Sequence, residues 1–562
     1  DNGSDVCPIT ITPIFGKILE IIVDNRMIFI EDCFNTGDLY NGGFKKNSAT
    51  ADNAFILLGC IQKQLLLNKK LYVAYVDFRK AFNFVKRNLL FYKLIQCGLH
   101  GNTIKLMYDM YSKTKARVKV NGVLYDWIFD RVGMNQGGPN SPYLFKKFLA
   151  DMIDYLQINC GVIMDDSILL HLLWADDLIL MSDNAINLQT QLDKLFLFCQ
   201  DFHMIVNETK TKIMVFGSDC GTQFMYNNKV IERVSSYKYL GVLFNSTCRS
   251  NGNVFKEAVT HVKNQGCKAM YKLLKDTKDV GKLPPKVAFK LFDQLVLPIL
   301  EYGSEILFSN KHIPEIEHVH TKYLRIILGV KKNSSLLALY GETGRYPLFL
   351  RQQIKVFKYW RKLINLPDTS IAKKVYNCLL CLHSSGFTTW VSNVHSMLIT
   401  HDFIDCWERQ SCVNSDILEF KRTISDQYMY HWSSSINDIN ANPKLRTYCQ
   451  FKSVFECESY LLTIKDFRLR QLLTKFRISD HCLEIEVGRH NNIPADNRIC
   501  NHCDILEVED EKHFLLRCDL YCDLREVLIQ HAGSCNFTDI MCNQGLQFNL
   551  AKCIFKMFRG EN

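Results

Sequence analysis

The stretch HLLWADDLILM, from His171 to Met181, places two adjacent carboxylates, Asp176 and Asp177, between two short apolar runs. Such runs predict two strands, and the polar pair between them predicts the tip of a hairpin. Two like charges at a tight tip either face water as an ordinary turn or hold a divalent cation, because burying them without a counter-ion is costly. The segment GVIMDDSILL places Asp165 and Asp166 in a similar setting, so the pattern alone leaves both alternatives open.

A third carboxylate follows another strand-like run. In LYVAYVDFRKAFNFV, Leu71 to Val85, the apolar run from Val73 to Val76 ends at Asp77. A carboxylate at the end of a strand can project into a site beside a hairpin tip. Together with Asp176 and Asp177 it would supply enough hard oxygen ligands for two Mg²⁺ ions, which complete their shells with water and substrate phosphates. Two such ions about 4 Å apart activate an attacking hydroxyl and stabilise a leaving pyrophosphate.

The composition is that of a globular protein. The chain has 562 residues, of which 47% are hydrophobic and 22% charged, so it has room for three or four domains and a large core. A formal net charge of +10 permits nucleic-acid binding without demanding it. The 23 cysteines are scattered, which predicts reduced thiols in an intracellular protein, nuclear or cytoplasmic. No apolar run approaches the roughly 18 to 20 residues that span a bilayer, so we expect no membrane partner.

A cysteine and histidine cluster lies near the carboxyl terminus. Its spacing is Cys500-x2-Cys503-x9-His513-x4-Cys518. Three thiolates and one imidazole suit a closed, structural, tetrahedral Zn²⁺ site. In a cysteine-rich chain a coincidental spacing is the alternative, and His502 is an alternative ligand.

Five segments follow one another along the first half of the chain: AYVDFRKAF, GMNQGGPNSPYLF, WADDLIL, NETKTKIMVFG and YKYLGVLF. Their order and spacing resemble the core motifs of reverse transcriptases, in particular those of non-LTR (LINE-type) retrotransposons. The resemblance continues through EYGSEI (Glu301 to Ile306), YGETGRYPL (Tyr340 to Leu348) and FRISDHCLEIEVGRH, and it ends in the Cys–His knuckle. It implies an RNA-directed DNA polymerase that adds deoxynucleoside triphosphates to a primer 3′-hydroxyl, with Asp77, Asp176 and Asp177 holding two Mg²⁺ ions.

The resemblance also implies a fold. We expect an α+β protein with a right-hand polymerase palm, in which helices pack on an antiparallel sheet, followed by a helical thumb and a helical carboxyl-terminal region with a small zinc knuckle. The expected boundaries are residual fingers and the fingers–palm junction at 1–70, palm at 71–245, thumb at 246–335, helical linker at 336–485, zinc knuckle at 486–525 and tail at 526–562.

Further site residues come from the same resemblance. Phe82, five residues after Asp77, would lie under the sugar and exclude a 2′-hydroxyl, and Phe78 would also border the nucleotide. Gln136 and Gly137 would contact template and nucleotide. Either Lys210 or Lys212 could protonate the departing pyrophosphate, although a simple exposed lysine is the alternative for each.

The basic residues predict two nucleic-acid contacts, with solvated helix faces as the alternative for the first set. A thumb helix that follows duplex phosphates would carry Lys263, Lys268, Lys272 and Lys275. Around the knuckle, RNA or DNA could be held by Arg489, Arg498 and Arg517.

The sequence departs from the family pattern at four positions. Cys7 and Asn135 stand where arginine is usual, Asn83 where aspartate is usual, and Asn140 where leucine is usual. These departures support an alternative function, a catalytically decayed or domesticated copy that binds nucleic acid without polymerising. In either case the expected partners are an RNA template and a DNA primer or target DNA, and for the active enzyme also deoxynucleoside triphosphates.

Overall fold

A computed structural model describes residues 10–34, 42–43, 48–99, 101–112, 114–129, 132–218, 221–246, 255–307 and 313–560. The chain forms two compact units, and each is made of two separate stretches of sequence. Unit 1 comprises residues 1–258 and 360–396, and unit 2 comprises residues 259–359 and 397–562.

Helices account for most of the described residues. Their bounds are α1 Ile14–Phe34, α2 Thr50–Leu66, α3 Ala81–Phe84, α4 Arg87–Gln96, α5 Asn102–Ser112, α6 Ser141–Leu149, α7 Met152–Tyr155, α8 Ala185–Phe202, α9 Lys256–Asp276, α10 Pro285–Leu295, α11 Leu297–Leu300, α12 Ser304–Leu307, α13 Ile313–Leu328, α14 Leu336–Thr343, α15 Leu348–Ile364, α16 Ile371–Ser384, α17 Trp390–Thr400, α18 Ile404–Glu408, α19 Asn414–Asn437, α20 Tyr448–Phe451, α21 Ser459–Thr463, α22 Phe467–Arg477, α23 Glu484–His490, α24 Glu511–Leu516, α25 Cys522–Ala532, α26 Phe537–Cys542 and α27 Gln547–Arg559.

The strands all belong to unit 1. Their bounds are β1 Leu71–Val76, β2 Lys115–Ala116, β3 Lys119–Val120, β4 Val123–Leu124, β5 Ile128–Phe129, β6 Val162–Met164, β7 Ser167–Leu169, β8 His171–Trp174, β9 Asp177–Ser182, β10 Lys212–Phe216, β11 Met225–Tyr226, β12 Lys229–Val230, β13 Ser236–Tyr239 and β14 Val242–Asn245.

An antiparallel sheet of four strands, in the order β10-β1-β9-β8, lies at the centre of unit 1. Helix α8 lies against β1 and β9, and helix α2 lies against β1 and β8. Alternate β1 residues, Tyr72, Ala74 and Val76, share one apolar cluster with leucines of α8. Because helices cover both faces, all six residues of β1 are buried, which explains why its sequence is a continuous apolar run.

Helix α16 packs against α2. The two helices pack closely where α2 has a glycine, Gly59, because a Cβ at that position would lie 2.2 Å from Cγ1 of Val375. The sequence predicts one helical linker over 336–485, whereas the structure divides that region between the two units. The physical reason is the buried face of α16, with Val375 and Leu379 fully buried, which packs in unit 1.

Unit 2 is helical and contains a buried ion pair in its core. The Arg477 guanidinium, 2% exposed, donates to both carboxylate oxygens of Glu342 at 2.9 and 3.0 Å. A second carboxylate, Glu458, lies 3.0 Å from the same guanidinium, which also donates to the carbonyl oxygen of Met541 at 3.2 Å. Glu342 belongs to YGETG and Arg477 to KFRISDH, so two of the stretches that define the resemblance meet here.

Several local predictions are confirmed. Apolar residues at three- and four-residue spacing predict a helix from about Thr50 to Leu67, and α2 spans Thr50–Leu66. The basic amphipathic pattern FRLRQLLTKFR predicts a helix from Phe467 to Arg477, and α22 has these bounds. The Asn121-Gly122 turn joins β3 and β4, and both residues have positive φ, 49° and 86°. The mixture of helices with an antiparallel sheet agrees with the α+β prediction.

The contact between α2 and α16 can be tested by substitution. We expect Gly59→Ala to lower the stability of unit 1 by about 1–2 kcal/mol, because overpacking against Val375 outweighs the gain in helix propensity. Hydrogen exchange of peptides from α2 and α16, followed by mass spectrometry, measures the loss of stability at this contact.

Two further variants serve as controls for this substitution. Val375→Ala removes the obstructing methyl group, so the double variant should lose less stability than the sum of the single variants. Gly16→Ala, whose added Cβ meets only Pro13 at 4.0 Å, should not weaken protection. Unchanged exchange in Gly59→Ala would show that the two helices do not pack as described.

Candidate active site and candidate metal centre

The register of the sheet brings the predicted carboxylates together. Val76 of β1 pairs with Leu178 of β9, so continuing the antiparallel register places Asp77 opposite Asp177. Trp174 pairs with Asp177, which leaves Ala175 and Asp176 as a two-residue turn between β8 and β9. Asp77, Asp176 and Asp177 therefore lie at one end of two neighbouring strands.

The charges of these residues affect one another. Desolvation and the charge of Asp77 raise the pKa of Asp176. Desolvation, followed by the charges of Asp176 and Asp77, raises the pKa of Asp177 to about 6, although this side chain also reaches solvent. Three neighbouring carboxylates are a donor set that fits hard divalent cations such as Mg²⁺.

The backbone of Asp77 is fixed by the turn that precedes β10. Its N–H donates to Oγ1 of Thr211 at 3.2 Å, and its carbonyl oxygen accepts from the N–H of Asn207 at 2.7 Å. The next residue, Phe78, forms a bridge with Val206. The segment NETKT therefore positions the first carboxylate. Sequence reasoning missed Thr211, although the motif that contains it was recognised.

The β13–β14 hairpin brings two tyrosines near the carboxylates. The ring of Tyr237 stacks on that of Tyr75 in β1, with centroids 4.0 Å apart. Burial, then the charges of Asp177 and Asp77, raise the pKa of Tyr237, which indicates that this ring borders the site. The motif YKYLGVLF predicts a strand pair here that would hold the primer end, but neither of its tyrosines was predicted as a site residue.

Asn53 of α2 connects that hairpin to β8. Its Nδ2 donates to the hydroxyl of Tyr239 at 3.3 Å and to the carbonyl oxygen of Leu173 at 3.2 Å. Asn53 is 3% exposed, so these bonds satisfy a buried amide that would otherwise cost stability. Nothing in the local sequence distinguishes this asparagine from an ordinary helix residue.

The two predicted aromatic residues differ in position. Phe78 is 4% exposed and belongs to the core of unit 1, so its side chain does not line an open surface. Phe82 is half-buried, and its ring stacks on Phe145 with centroids 4.4 Å apart. The carbonyl oxygen of Phe82 accepts from the N–H of Met134 at 2.8 Å, which joins it to the glycine-rich segment.

The glycine-rich segment precedes α6. Gly137 is exposed with a φ of 106°, a conformation that favours glycine. Gln136 is half-buried, and its carbonyl oxygen accepts from the N–H of Thr10 at 2.8 Å. Asn140 is 1% exposed and accepts from the Tyr111 hydroxyl at 3.4 Å, so this departure from the family pattern is accommodated in the core. Cys7 lies outside the described residues.

The two predicted lysines have different surroundings. Lys210 is exposed. The Nζ of Lys212 lies 2.5 Å from a carboxylate oxygen of Glu232 and donates to the carbonyl oxygen of Thr209 at 2.6 Å. The charge of Lys212 is therefore already paired within the protein.

The second Asp-Asp pair is an ordinary turn. Asp165 and Asp166 connect β6 and β7, which form a separate two-stranded sheet, and both residues are exposed. Asp166 forms an ion pair with Lys374 at 2.9 Å. Of the two alternatives that the sequence leaves open, the structure supports the exposed turn at this pair.

Residues 2–244 match a family model described as reverse transcriptase (RNA-dependent DNA polymerase). The amino-terminal part of this chain is therefore similar to reverse transcriptases. The matched residues contain all five motifs quoted above, together with the three carboxylates.

Relatives that match this chain come from retrotransposable elements. A Pol polyprotein from type-1 retrotransposable element R2 of Popillia japonica is 25% identical over 317 residues, 54% of this chain and 42% of that protein. The corresponding R2 protein of Nasonia vitripennis is 26% identical over 211 residues, 35% of this chain and 20% of that protein. The RNA-directed DNA polymerase from mobile element jockey of Drosophila melanogaster is 21% identical over 334 residues, 57% of this chain and 35% of that protein.

These matches confirm the resemblance to non-LTR retrotransposon reverse transcriptases that the motifs predict. The chain spans less than half the length of each of these relatives. Among solved structures, apo telomerase from Candida tropicalis aligns with 72% of this chain and 61% of that chain, at 12% identity and a TM-score of 0.33, a likeness too distant to support an argument. None of the described helices combines the length and apolar character needed to cross a membrane.

The four predicted zinc ligands lie together in unit 2. The ligand atoms of Cys500, Cys503, His513 and Cys518 are all within 4.8 Å of one another. The two sulfur atoms of Cys500 and Cys518 are 4.0 Å apart, and Sγ of Cys503 lies 3.3 Å from Nε2 of His513. A tetrahedral zinc site with normal bond lengths has ligand separations of about 3.8 Å between sulfurs and about 3.6 Å between sulfur and nitrogen.

A second group of residues orients the histidine of this cluster. Nδ1 of His513 lies 3.3 Å from a carboxylate oxygen of Glu507, which leaves Nε2 directed at the thiols. The N–H of His513 is capped by the Asp510 carboxylate at 2.8 Å. Burial raises the pKa of the Cys500 thiol to about 12, so thiolates form here only against a cation. These observations fit a structural zinc ion.

The helix that carries His513 is anchored in the core of unit 2 through Glu511. This carboxylate is 1% exposed and contacts Arg446, His481 and Ser479 at 2.9, 2.8 and 2.6 Å. Burial alone would raise its pKa, but the hydrogen bond and charge of His481, with those of Arg446 and Ser479, lower the pKa to about 2.

The basic residues near the knuckle are engaged within the protein. Arg498 donates to the carbonyl oxygens of Ile493 and Ile485 at 2.7 to 2.9 Å. Arg489 bonds to Glu486 at 2.5 Å, and Arg517 to Glu507 at 3.1 Å. Loop carbonyls and carboxylates thus use part of the donor capacity of these arginines, and their contact with RNA or DNA stays a prediction.

Metal analysis tests the zinc site. We expect one zinc ion per chain in protein purified without chelator, and loss of that ion in Cys503→Ser. A chelator should increase hydrogen exchange over residues 495–520 and leave strand β1 protected, because binding and local folding are coupled.

Cys522→Ser is the matched control, since Cys522 is exposed and lies outside the cluster. It should retain the metal. Equal zinc content in both variants, or protein without zinc and with an ordered 495–520 segment, would contradict a zinc centre here.

Proposed function

We propose that this chain is an RNA-directed DNA polymerase of the non-LTR retrotransposon type, which transfers nucleotidyl groups from deoxynucleoside triphosphates to a primer 3′-hydroxyl. The observation that carries the proposal is the convergence of Asp77, Asp176 and Asp177 at the ends of β1 and β9. The reverse transcriptase family match over residues 2–244 supports it. The RNA template, the DNA primer or target DNA and the nucleotides are proposed partners.

The proposal assigns parts of the fold to parts of a polymerase. The four-stranded sheet with its packed helices, within residues 71–245, is the palm, and residues 1–70 contribute to the fingers. Residues 246–335 form the thumb, 486–525 the zinc knuckle and 526–562 the tail, and of the helical linker region 336–485 the stretch 360–396 belongs to unit 1.

Asp77 and Asp176 would hold two Mg²⁺ ions, with Asp177 contributing beside them. Bound there, the ions supply activation of the primer hydroxyl and stabilisation of charge on the leaving pyrophosphate. The protein would hold the carboxylates in place. Thr211 and Asn207 do this for Asp77 through hydrogen bonds to its backbone.

Other residues of the chain would select and orient the nucleotide. Phe82, fixed by its stack on Phe145, would exclude a 2′-hydroxyl. Gln136 and the backbone at Gly137 would contact template and nucleotide. Lys210 is the better proton donor for pyrophosphate, because Lys212 is already paired with Glu232.

Primer extension with oligo-dT on poly-rA tests the proposed reaction. We expect extension by the unsubstituted chain and a loss of at least about 10³-fold in Asp176→Asn, since the carboxylate supports several kcal/mol of transition-state stabilisation. Asp165→Asn removes the same charge from the exposed turn and should retain full activity.

The alternative, a copy that binds nucleic acid without turnover, predicts a different result. The unsubstituted chain would retain RNA and DNA in a binding assay and show no extension with Mg²⁺. That outcome would exclude the polymerase and leave the fold intact.

The role of Phe82 gives a separate test. Phe82→Val should admit ribonucleotides while deoxynucleotide incorporation continues, because the smaller side chain leaves room for the 2′-hydroxyl. Phe82→Tyr retains both the ring and the stack on Phe145 and should continue to exclude ribonucleotides. The measurement is the ratio of kcat/KM for the two nucleotides; an equal ratio in both variants would make Phe82 an ordinary packing residue.

A further inference from the structure

Helix α1 places a buried carboxylate against the glycine-rich segment that precedes α6. Glu20 is 5% exposed, and its Oε2 lies 2.9 Å from the position that a Cβ on Gly138 would occupy. Burial raises the pKa of Glu20, while the charge of Lys17 and a hydrogen bond from the N–H of Asn140 oppose this rise. The carboxylate of Glu20 therefore meets the turn at two residues, Gly138 and Asn140.

The two glycines of this turn are required for different reasons. Gly137 has a φ of 106°, which favours glycine whatever surrounds it. Gly138 does not have a positive φ, so its backbone conformation would tolerate alanine. The space beside it would not, because an added Cβ would lie 2.9 Å from Oε2 of Glu20 and 3.0 Å from Oγ of Ser141. Close contact with Glu20 and Ser141 accounts for the second glycine.

Two further hydrogen bonds join the same parts of the chain. The N–H of Thr10 donates to the carbonyl oxygen of Gln136 at 2.8 Å, and the hydroxyl of Tyr143 donates to the carbonyl oxygen of Met27 at 3.3 Å. In both bonds the amino-terminal part contributes only backbone atoms. Glu20 is thus the amino-terminal side chain through which these contacts can be altered by substitution.

A role as a helix cap explains only part of this arrangement. A carboxylate near the start of a helix is favourable, and Asn140 directly precedes α6. However, Oε2 of Glu20 and Nδ2 of Asn140, which is 1% exposed, are both buried and lack a hydrogen-bond partner among the described residues. Unsatisfied buried groups cost stability, and such costs are typical of functional sites rather than of simple caps.

We propose that Glu20 is a positioning residue for the glycine-rich turn and, through the turn, for the incoming nucleotide. Its carboxylate fixes Gly138 and Asn140, and the neighbouring Gly137 is exposed where the nucleotide contact is proposed. The three carboxylates of the sheet are positioned separately, by the pairing of β1 with β9. The nucleotide part of this inference rests on the proposed polymerase function, whereas the contact between Glu20 and the turn does not.

Steady-state primer extension with dTTP on poly-rA and oligo-dT tests the nucleotide part in the full chain. Glu20→Ala should raise the KM for dTTP about tenfold, the value of one charge-assisted hydrogen bond, and leave kcat within about twofold. Glu20→Gln keeps an acceptor for the N–H of Asn140 and should restore most of the nucleotide affinity. An unchanged KM in Glu20→Ala, or an equal rise in KM in both variants, would overturn the proposal.

Hydrogen exchange of residues 134–149, measured without nucleotide, tests the contact independently of activity. Glu20→Ala should increase exchange there and leave β1 protected, whereas Glu20→Gln should not. Asn25→Ala, which removes an exposed polar side chain from the same helix, is the matched control and should change neither exchange nor KM. A lower Tm with unchanged KM would mean that Glu20 only stabilises the fold. If the unsubstituted chain extends no primer, the polymerase proposal fails, and unchanged exchange in Glu20→Ala would still overturn the contact.

Gly138→Ala approaches the same contact from the other side. The added methyl group should displace the turn and raise the KM for dTTP, and Glu20→Ala makes room for that methyl group. The double variant should therefore lose less affinity than the product of the single effects, and multiplicative losses would overturn direct contact. Should Glu20→Ala fail to fold, Gly138→Ala still decides the question, because an unchanged KM and unchanged exchange in that variant would overturn the proposal.

Discussion

The pairing of β1 with β9 gathers three negative charges at one end of a sheet, against their mutual repulsion. The strands achieve this through backbone hydrogen bonds, which do not depend on the charges. A slip of one residue in this register would turn every side chain of a strand to the opposite face. The burial of β1 on both sides by α2 and α8 makes such a slip costly, so the packing of unit 1 maintains the geometry of the proposed metal site.

Unit 2, in contrast to the three like charges of unit 1, buries charged side chains as ion pairs. Arg477 pairs with Glu342, and Glu511 pairs with Arg446 and His481. These interactions connect stretches that are distant in the sequence, and they form only when those stretches pack in one arrangement. Removing one member of such a pair costs about 3–5 kcal/mol, because the partner is left charged and buried. The zinc ligands are attached to this framework through Glu511, two residues before His513.

Local patterns in the sequence predicted the local structure well. Helix α2 and the turn between Trp174 and Asp177 follow from apolar periodicity and adjacent polar residues, and the zinc ligands follow from their spacing. The role of Thr211 and the stacking of Tyr237 on Tyr75 could not be predicted from local patterns, because each depends on a partner more than a hundred residues away. The assignment of α16 to unit 1 was missed for the same reason, since its partner α2 lies about 300 residues earlier in the chain.

The discontinuous composition of unit 1 has a consequence for biosynthesis. Helix α2 emerges from the ribosome roughly 300 residues before α16, the helix that covers Gly59 and its neighbours. At a synthesis rate of about 5–20 residues per second, that apolar face of α2 lacks its native partner for roughly 15–60 s. Throughout this interval the nascent chain carries helix α2 with the apolar face around Gly59 uncovered, which favours the binding of molecular chaperones during its production.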